Sequence, residues 1–251
     1  MNKILKLVII VFLSINGSAD CQFFKRVNIG AQYWRASQNY YHEGLGINIA
    51  EQAGNLLGPD LSLQFGKIAV GSSMFFGSFS WLMEGVNAPI EVNVQRNQIN
   101  FSLGLVYMED INFFITVQNL SFEGEKSHSD LENRDYRTNV EDKGTLYGGG
   151  FSGVYMFPQS NVFALTYASY SLGHMKTVLT QYLKDTPIDE LGGNWEYHSD
   201  ALSVMLGLGY QFDTGINILL SYRQDINKKE TGELELDGFI LTFFYLFPPR
   251  E

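Results

Sequence analysis

The chain is poor in cysteine, proline and charge, and each shortage removes a class of protein. Cys21 is its only cysteine, so no intrachain disulfide framework staples it. Six prolines in 251 residues exclude proline-rich linkers. Charged residues make up 18%, against about a quarter in an ordinary soluble domain. Lysine and arginine number 17 against 27 acidic residues, a net charge of −10, and that balance argues against nucleic acid as a partner. Beyond the first residues no run approaches the ~20 apolar residues of a transmembrane helix. No fixed-spacing ligand set marks a metal or cofactor loop, so no cofactor is expected. Nothing in the composition marks a second domain.

What is present begins at the N-terminus. Lys3 precedes the apolar run Leu5, Leu7, Val8, Ile9, Ile10, Val11, Phe12 and Leu13, interrupted only by Lys6. Gly17 and Ala19 then supply the small residues at minus three and minus one that signal peptidase requires. We expect a signal peptide over 1–19 and one domain over 20–251. Asp20 directly before Cys21 is the wrong neighbour for a lipidated cysteine.

Past the signal, period two dominates. Ile99, Phe101, Leu103, Leu105 and Tyr107 share one face, and Asn100, Ser102 and Gly104 the other. Leu202, Val204, Leu206, Leu208 and Tyr210 oppose Ala201, Ser203, Gly207, Gly209 and Gln211, and the pattern recurs from Ile216 to Tyr222. A polar face of Gly, Ser, Asn and Gln suits a narrow lumen better than a solvated surface. Turn-forming residues at Gly66-Lys67, Glu109-Asp110, Pro158-Gln159-Ser160 and Asp213-Thr214-Gly215 alternate with longer polar connections at 43–59, 84–91, 126–143, 179–199 and 228–232. Strands are predicted over 27–41, 60–66, 68–82, 92–108, 111–124, 144–157, 161–177, 200–212, 216–227 and 233–247.

In the last of these, Phe239, Leu241, Phe243, Tyr245 and Phe247 alternate and end on an aromatic. That strand resembles the C-terminal signal read by the β-barrel assembly machinery, although Pro248, Pro249, Arg250 and Glu251 follow it. Tyr107, Tyr155, Phe157, Tyr210, Phe212, Tyr245 and Phe247 fall near the short turns as one interfacial girdle, and Trp34, Tyr40, Tyr41, Trp81, Tyr147 and Tyr222 are candidates for the other. Over its mature length the chain resembles the small Gram-negative outer-membrane β-barrel proteins as an architecture, without matching one functional family. The resemblance implies an all-β fold, a closed antiparallel transmembrane barrel of about ten strands with short periplasmic turns and long extracellular loops. It also implies the bacterial outer membrane as location, with its lipid, lipopolysaccharide and the assembly machinery as partners.

Function is less legible, because fold does not fix it. The inward set pairs small residues (Gly104, Gly148, Gly150, Ser152, Ser203, Gly207, Gly209, Ser221) with apolar ones (Phe114, Leu120, Leu146, Val154, Met156, Leu219, Ile240, Phe244). This implies a narrow lumen closed at rest, not an open pore. Arg96, Arg223, Asp225 and Asp237 are a candidate inward charged cluster that ties strands together and gates the lumen. His128-Ser129-Asp130 and His198-Ser199-Asp200 are runs of catalytic residue types, but neighbours in sequence do not make a triad. His42 and His174 near strand ends, with Glu43, Glu196 and Asp200 as partners, have a partial likeness to outer-membrane proteases of the omptin type, whose full pattern is not matched. The expectation is therefore a non-enzymatic barrel with a structural or surface-recognition role. Passage of a small or hydrophobic solute is the first alternative, and an outer-membrane enzyme, protease or lipid A modifying, is the second.

Overall fold

The computed structural model describes residues 26–42, 47–83, 90–108, 110–129, 135–183, 186–187, 193–229 and 232–247. The expected signal peptide, Cys21 and Pro248–Glu251 lie outside the described residues, as do the side chains of the girdle candidates Tyr40, Tyr41 and Trp81. Eleven strands follow one another: β1 (Arg26–His42), β2 (Ile47–Phe65), β3 (Ile68–Met83), β4 (Ile90–Met108), β5 (Ile111–Ser129), β6 (Asp135–Met156), β7 (Val162–Leu183), β8 (Thr186–Pro187), β9 (Gly193–Gln211), β10 (Ile216–Lys229) and β11 (Gly232–Phe247). The two-residue β8 pairs only with the end of β7. The other ten form a single antiparallel sheet in chain order, and pairing of β1 with β11 closes it into a barrel. Closure leaves no strand edge unpaired, which a wall in hydrocarbon requires.

Alternation along each strand becomes an inside and an outside. Ile115, Leu206 and Leu208 face outward at 60% exposure or more, while Phe75, Leu146 and Ile240 face inward at 0%. So broad an apolar exterior is costly in water and is what a lipid-facing wall requires. Replacing Leu206 with arginine near mid-wall is expected to cost about 2–4 kcal/mol, read from urea unfolding in lipid vesicles; no loss there would mean the wall does not meet hydrocarbon.

The short turns form as expected. Gly66 and Gly215 sit at φ +57° and +85°, a left-handed geometry that glycine adopts without steric cost. On the outer wall beside these turns, aromatics pair edge to face two residues apart: Tyr155 with Phe157 at 5.3 Å, Tyr210 with Phe212 at 4.9 Å and Tyr245 with Phe247 at 4.8 Å. This is the expected lower girdle. Trp34 is not part of the upper one: it points into the barrel at 0% exposure.

The strands are longer than their hydrophobic alternation. β2 begins at Ile47 instead of 60, β9 at Gly193 instead of 200, and β5 and β6 run to Ser129 and from Asp135 through the segment expected as a loop. β6 and β7 have 22 residues each, twice the about 9–11 that cross a bilayer at a tilt. Their far halves continue the ladder where the outer face carries charges. Lys143 bridges to Glu123 at 3.3 Å and to Glu141, Lys176 to Glu196 at 3.7 Å, and Arg137 to Glu125 at 3.8 Å. Cross-strand pairs of opposite charge support a ladder as apolar pairs do, but they erase the alternation that identifies a strand in sequence. In β2, Gly54, Gly58 and Pro59 imitate a loop. The ladder with β3 lapses between Leu57 and Asp60 and resumes in the same register, because Pro59 has no N–H to give.

The packed core lies inside the barrel. Trp34, Leu56, Phe75, Phe79, Leu146, Leu236 and Ile240 are all at most 1% exposed and belong to one cluster. Inward glycines make the space: a Cβ on Gly54 would meet the Phe79 ring at 2.2 Å, and one on Gly209 the Phe163 ring at 2.2 Å. Gly209→Val is therefore expected to destabilise the barrel by about 1–3 kcal/mol through overpacking, seen as a lower urea midpoint.

Candidate functional site

Three charged side chains meet across the lumen, level with Tyr33 and Tyr222 of the outer wall. Period two on β10 turns Arg223 and Asp225 inward, and on β4 it turns Arg96 inward from the opposite arc. Arg223 donates to Asp225 through Nε at 2.7 Å and Nη2 at 2.9 Å, a bidentate pair matched to the carboxylate's geometry. Arg96 Nη2 lies 3.8 Å from the same carboxylate. The three residues are 2–8% exposed.

Aromatic faces hold the two guanidiniums. Trp34 lies between them, 5.0 Å from Arg223 and 5.9 Å from Arg96. Phe75 covers Arg223 at 5.8 Å and Phe122 covers Arg96 at 5.1 Å, and the Trp34 and Phe75 rings meet edge to face at 5.4 Å. Planar, weakly hydrated guanidinium is suited to such stacking. Beside Arg96 a void of about 10 Å³ remains, room for about one water. The layer crosses the barrel from Arg223 and Asp225 on β10 to Arg96 on β4 and Phe122 on β5, with Trp34 of β1 and Phe75 of β3 beside it.

Polar groups extend the layer both ways. Toward the turns, Arg96 Nη2 donates to Gln98 Oε1 at 2.6 Å, Gln98 Nε2 to Asn100 Oδ1 at 3.3 Å, and Asn100 Nδ2 to Ser73 Oγ at 3.1 Å. The chain descends β4 into the half-exposed lower lumen. Toward the far rim, the Tyr197 hydroxyl donates to Asp142 Oδ1 at 2.6 Å and the Thr177 hydroxyl to the same oxygen at 3.3 Å.

Of the expected inward cluster, the structure brings together Arg96, Arg223 and Asp225. Asp237 is excluded: it sits on the outer face of β11 and accepts a hydrogen bond from the Tyr222 hydroxyl. Leu236 and Gly238 take the inward positions on either side of it, so parity alone corrects the assignment. Trp34, Phe75, Phe122 and Gln98 were missed, although strict alternation places all four in the lumen: Trp34 and Phe75 are next to outward Tyr33 and Phe76, and Phe122 and Gln98 are two residues from inward Leu120 and Arg96.

Alternation also separates the His198-Ser199-Asp200 run, while the side chains of His128, Ser129 and Asp130 lie outside the described residues. Ser199 faces inward, hydrogen-bonded to Asn227, while His198 and Asp200 face outward. His174 and His198 lie side by side on the outer wall with ring centroids 4.2 Å apart, and Asp200 accepts the Tyr170 hydroxyl at 3.1 Å. The side chain of His42 also lies outside the described residues. Phe239, Phe243, Tyr245 and Phe247 of the expected assembly signal face lipid on β11, with Leu241 on the same face.

Neither a described protein family nor a curated protein sequence matches the chain. Among solved structures, the outer-membrane protease OmpT of Escherichia coli is 11% identical, with 92% of this chain and all of that one covered at a TM-score of 0.51. The translocator domain of the autotransporter NalP from Neisseria meningitidis is 9% identical, covering 96% of this chain and 95% of that one at a TM-score of 0.55. At such identities the likeness concerns the fold. The chain has the closed antiparallel ten-stranded barrel architecture of outer-membrane β-barrel proteins.

Proposed function

We propose that this protein is an exported barrel of the bacterial outer membrane, closed to solutes at rest, whose role is structural or one of recognition at the cell surface. The observation that carries this reading is the ionic and aromatic layer of Arg96, Asp225, Arg223 and Trp34, buried across the lumen. Strands that outrun the membrane support it as well: their far halves raise a rim of paired charges into water. Recognition is placed at that rim and its loops.

Planar-bilayer recording tests the reading. Purified protein is expected to insert without steady conductance steps. A stable open state in the wild type would favour the alternative, passage of a small solute. One observation speaks for that alternative: the hydrogen-bonded polar chain from Arg96 to Ser73 lines a path from the layer toward the turns.

A further inference from the structure

The outer wall changes chemistry along a single row. Register places Ile99, Asn119, Thr145, His174 and His198 side by side across β4, β5, β6, β7 and β9. The row beneath is apolar from β4 to β7, as Phe101, Val117, Tyr147 and Leu172, and reaches Asp200 on β9, while the rows above carry the Lys143 and Lys176 ion pairs. The polar row therefore lies where acyl chains give way to headgroups.

At this boundary β4, β5 and β6 border an open, outward-facing concavity of about 370 Å³, where Asn97, Asn119, Ser121, Lys143 and Thr145 stand beside Ile99, Leu120 and Gly144. Most of its lining surface is apolar, and the polar groups set into it are the amides of Asn97 and Asn119, the hydroxyls of Ser121 and Thr145, and the Lys143 ammonium. The Thr145 hydroxyl donates to Asn119 Oδ1 at 2.8 Å, which fixes the amide and leaves its NH₂ group to donate elsewhere. Lys143 is held by both Glu123 and Glu141. Two carboxylates around one ammonium disfavour a phosphate and leave uncharged hydroxyls as the matching ligand.

We propose that this concavity holds the saccharide headgroup of an outer-leaflet glycolipid. Asn97, Asn119 and Thr145 hydrogen-bond the sugar hydroxyls, and the acyl chains run down over Phe101, Val117 and Tyr147. The proposal rests on the reading that the rim faces the cell exterior.

The test uses the full-length protein in detergent micelles, titrated with a monohexosyl diacylglycerol, rough-type lipopolysaccharide or phosphatidylglycerol and followed by native mass spectrometry. Both glycolipids are expected to bind saturably, and phosphatidylglycerol about tenfold more weakly, by the loss of one or two hydrogen bonds. Asn119→Leu combined with Thr145→Val should weaken glycolipid binding by about tenfold or more while heat-shifted gel mobility shows an intact barrel. Asn97→Leu alone serves if the double variant does not fold. Lys176→Met, on the same wall but outside the concavity, should change binding less than about threefold, as for an exposed ion pair. Unchanged glycolipid binding in the groove variants, phosphatidylglycerol binding as tight as glycolipid, or an equal loss from Lys176→Met would each overturn the site. Labelling of Lys143→Cys by an impermeant maleimide on intact cells tests the sidedness separately: labelling supports it, and no labelling removes the premise without bearing on the closed lumen.

Discussion

Asp225→Ala is expected to destabilise the barrel by about 3–5 kcal/mol, the cost of leaving a buried charge without its partner. Among the described residues Asp225 is the one acidic partner of Arg96 and Arg223, at 3.8 Å and 2.7 Å, and its loss leaves two buried guanidiniums without a counter-charge. Urea unfolding in vesicles, followed by tryptophan fluorescence, reads the effect. Two comparisons isolate the cause. Asp237→Ala removes an aspartate of the same strand region that lies on the outer wall, and should cost no more than about 1 kcal/mol. Replacing Arg96, Arg223 and Asp225 together with apolar residues of similar volume should come close to the wild type, because the desolvation cost of all three charges disappears with their attraction. If the triple variant were as unstable as Asp225→Ala, the residues would matter through shape and not through charge.

Trp34→Ala is expected to cost about 3–5 kcal/mol by opening a cavity in a packed core, and it should also change conductance. Trp34 is 0% exposed, stands between both guanidiniums and meets the Phe75 ring. Removing it takes away the widest side chain of the layer and loosens both arginines together. Bilayers containing the variant should show conductance steps where the wild type shows none. Trp34→Phe keeps an aromatic face and should remain silent. Silence in Trp34→Ala, with the stability loss present, would place the closure elsewhere in the lumen.

Much of the barrel was legible because the lipid-facing wall forces a strict alternation. Between Leu202 and Tyr210 every outward residue is apolar and every inward one but Met205 is small, so strand and facing could be read together. Legibility failed where the outside is water. From Glu123 to Ser129 and from Asp135 to Lys143 both faces are polar, so only the cross-strand partners in β5 and β6 identify these segments as wall. β2 failed for another reason: its first half lacks an apolar stripe and is held by long ladders to β1. In the candidate site, Arg96, Arg223 and Asp225 were recognisable as charges stranded in alternating segments. Trp34, in the middle of β1, was not, since a strand aromatic fits an outer girdle as well as a lumen until its parity with Tyr33 is fixed. The pairing of β4 with β10 residues across the barrel cannot be read from either strand alone, because it depends on closure through β1 and β11.

The central claim, a lipid-embedded barrel with a closed lumen, is tested most directly by a nitroxide scan of β9 from Asn194 to Tyr210 in a Cys21→Ser background, with collision rates measured against oxygen and a water-soluble nickel chelate. Outward labels at 202, 204, 206, 208 and 210 should favour oxygen, outward labels at 194 and 196 should favour the nickel chelate, and inward labels at 201 and 203 should meet neither. Nickel access at 201 and 203 equal to that at 194 would contradict a closed lumen, and the absence of oxygen preference at 204 to 208 would contradict a wall in the membrane.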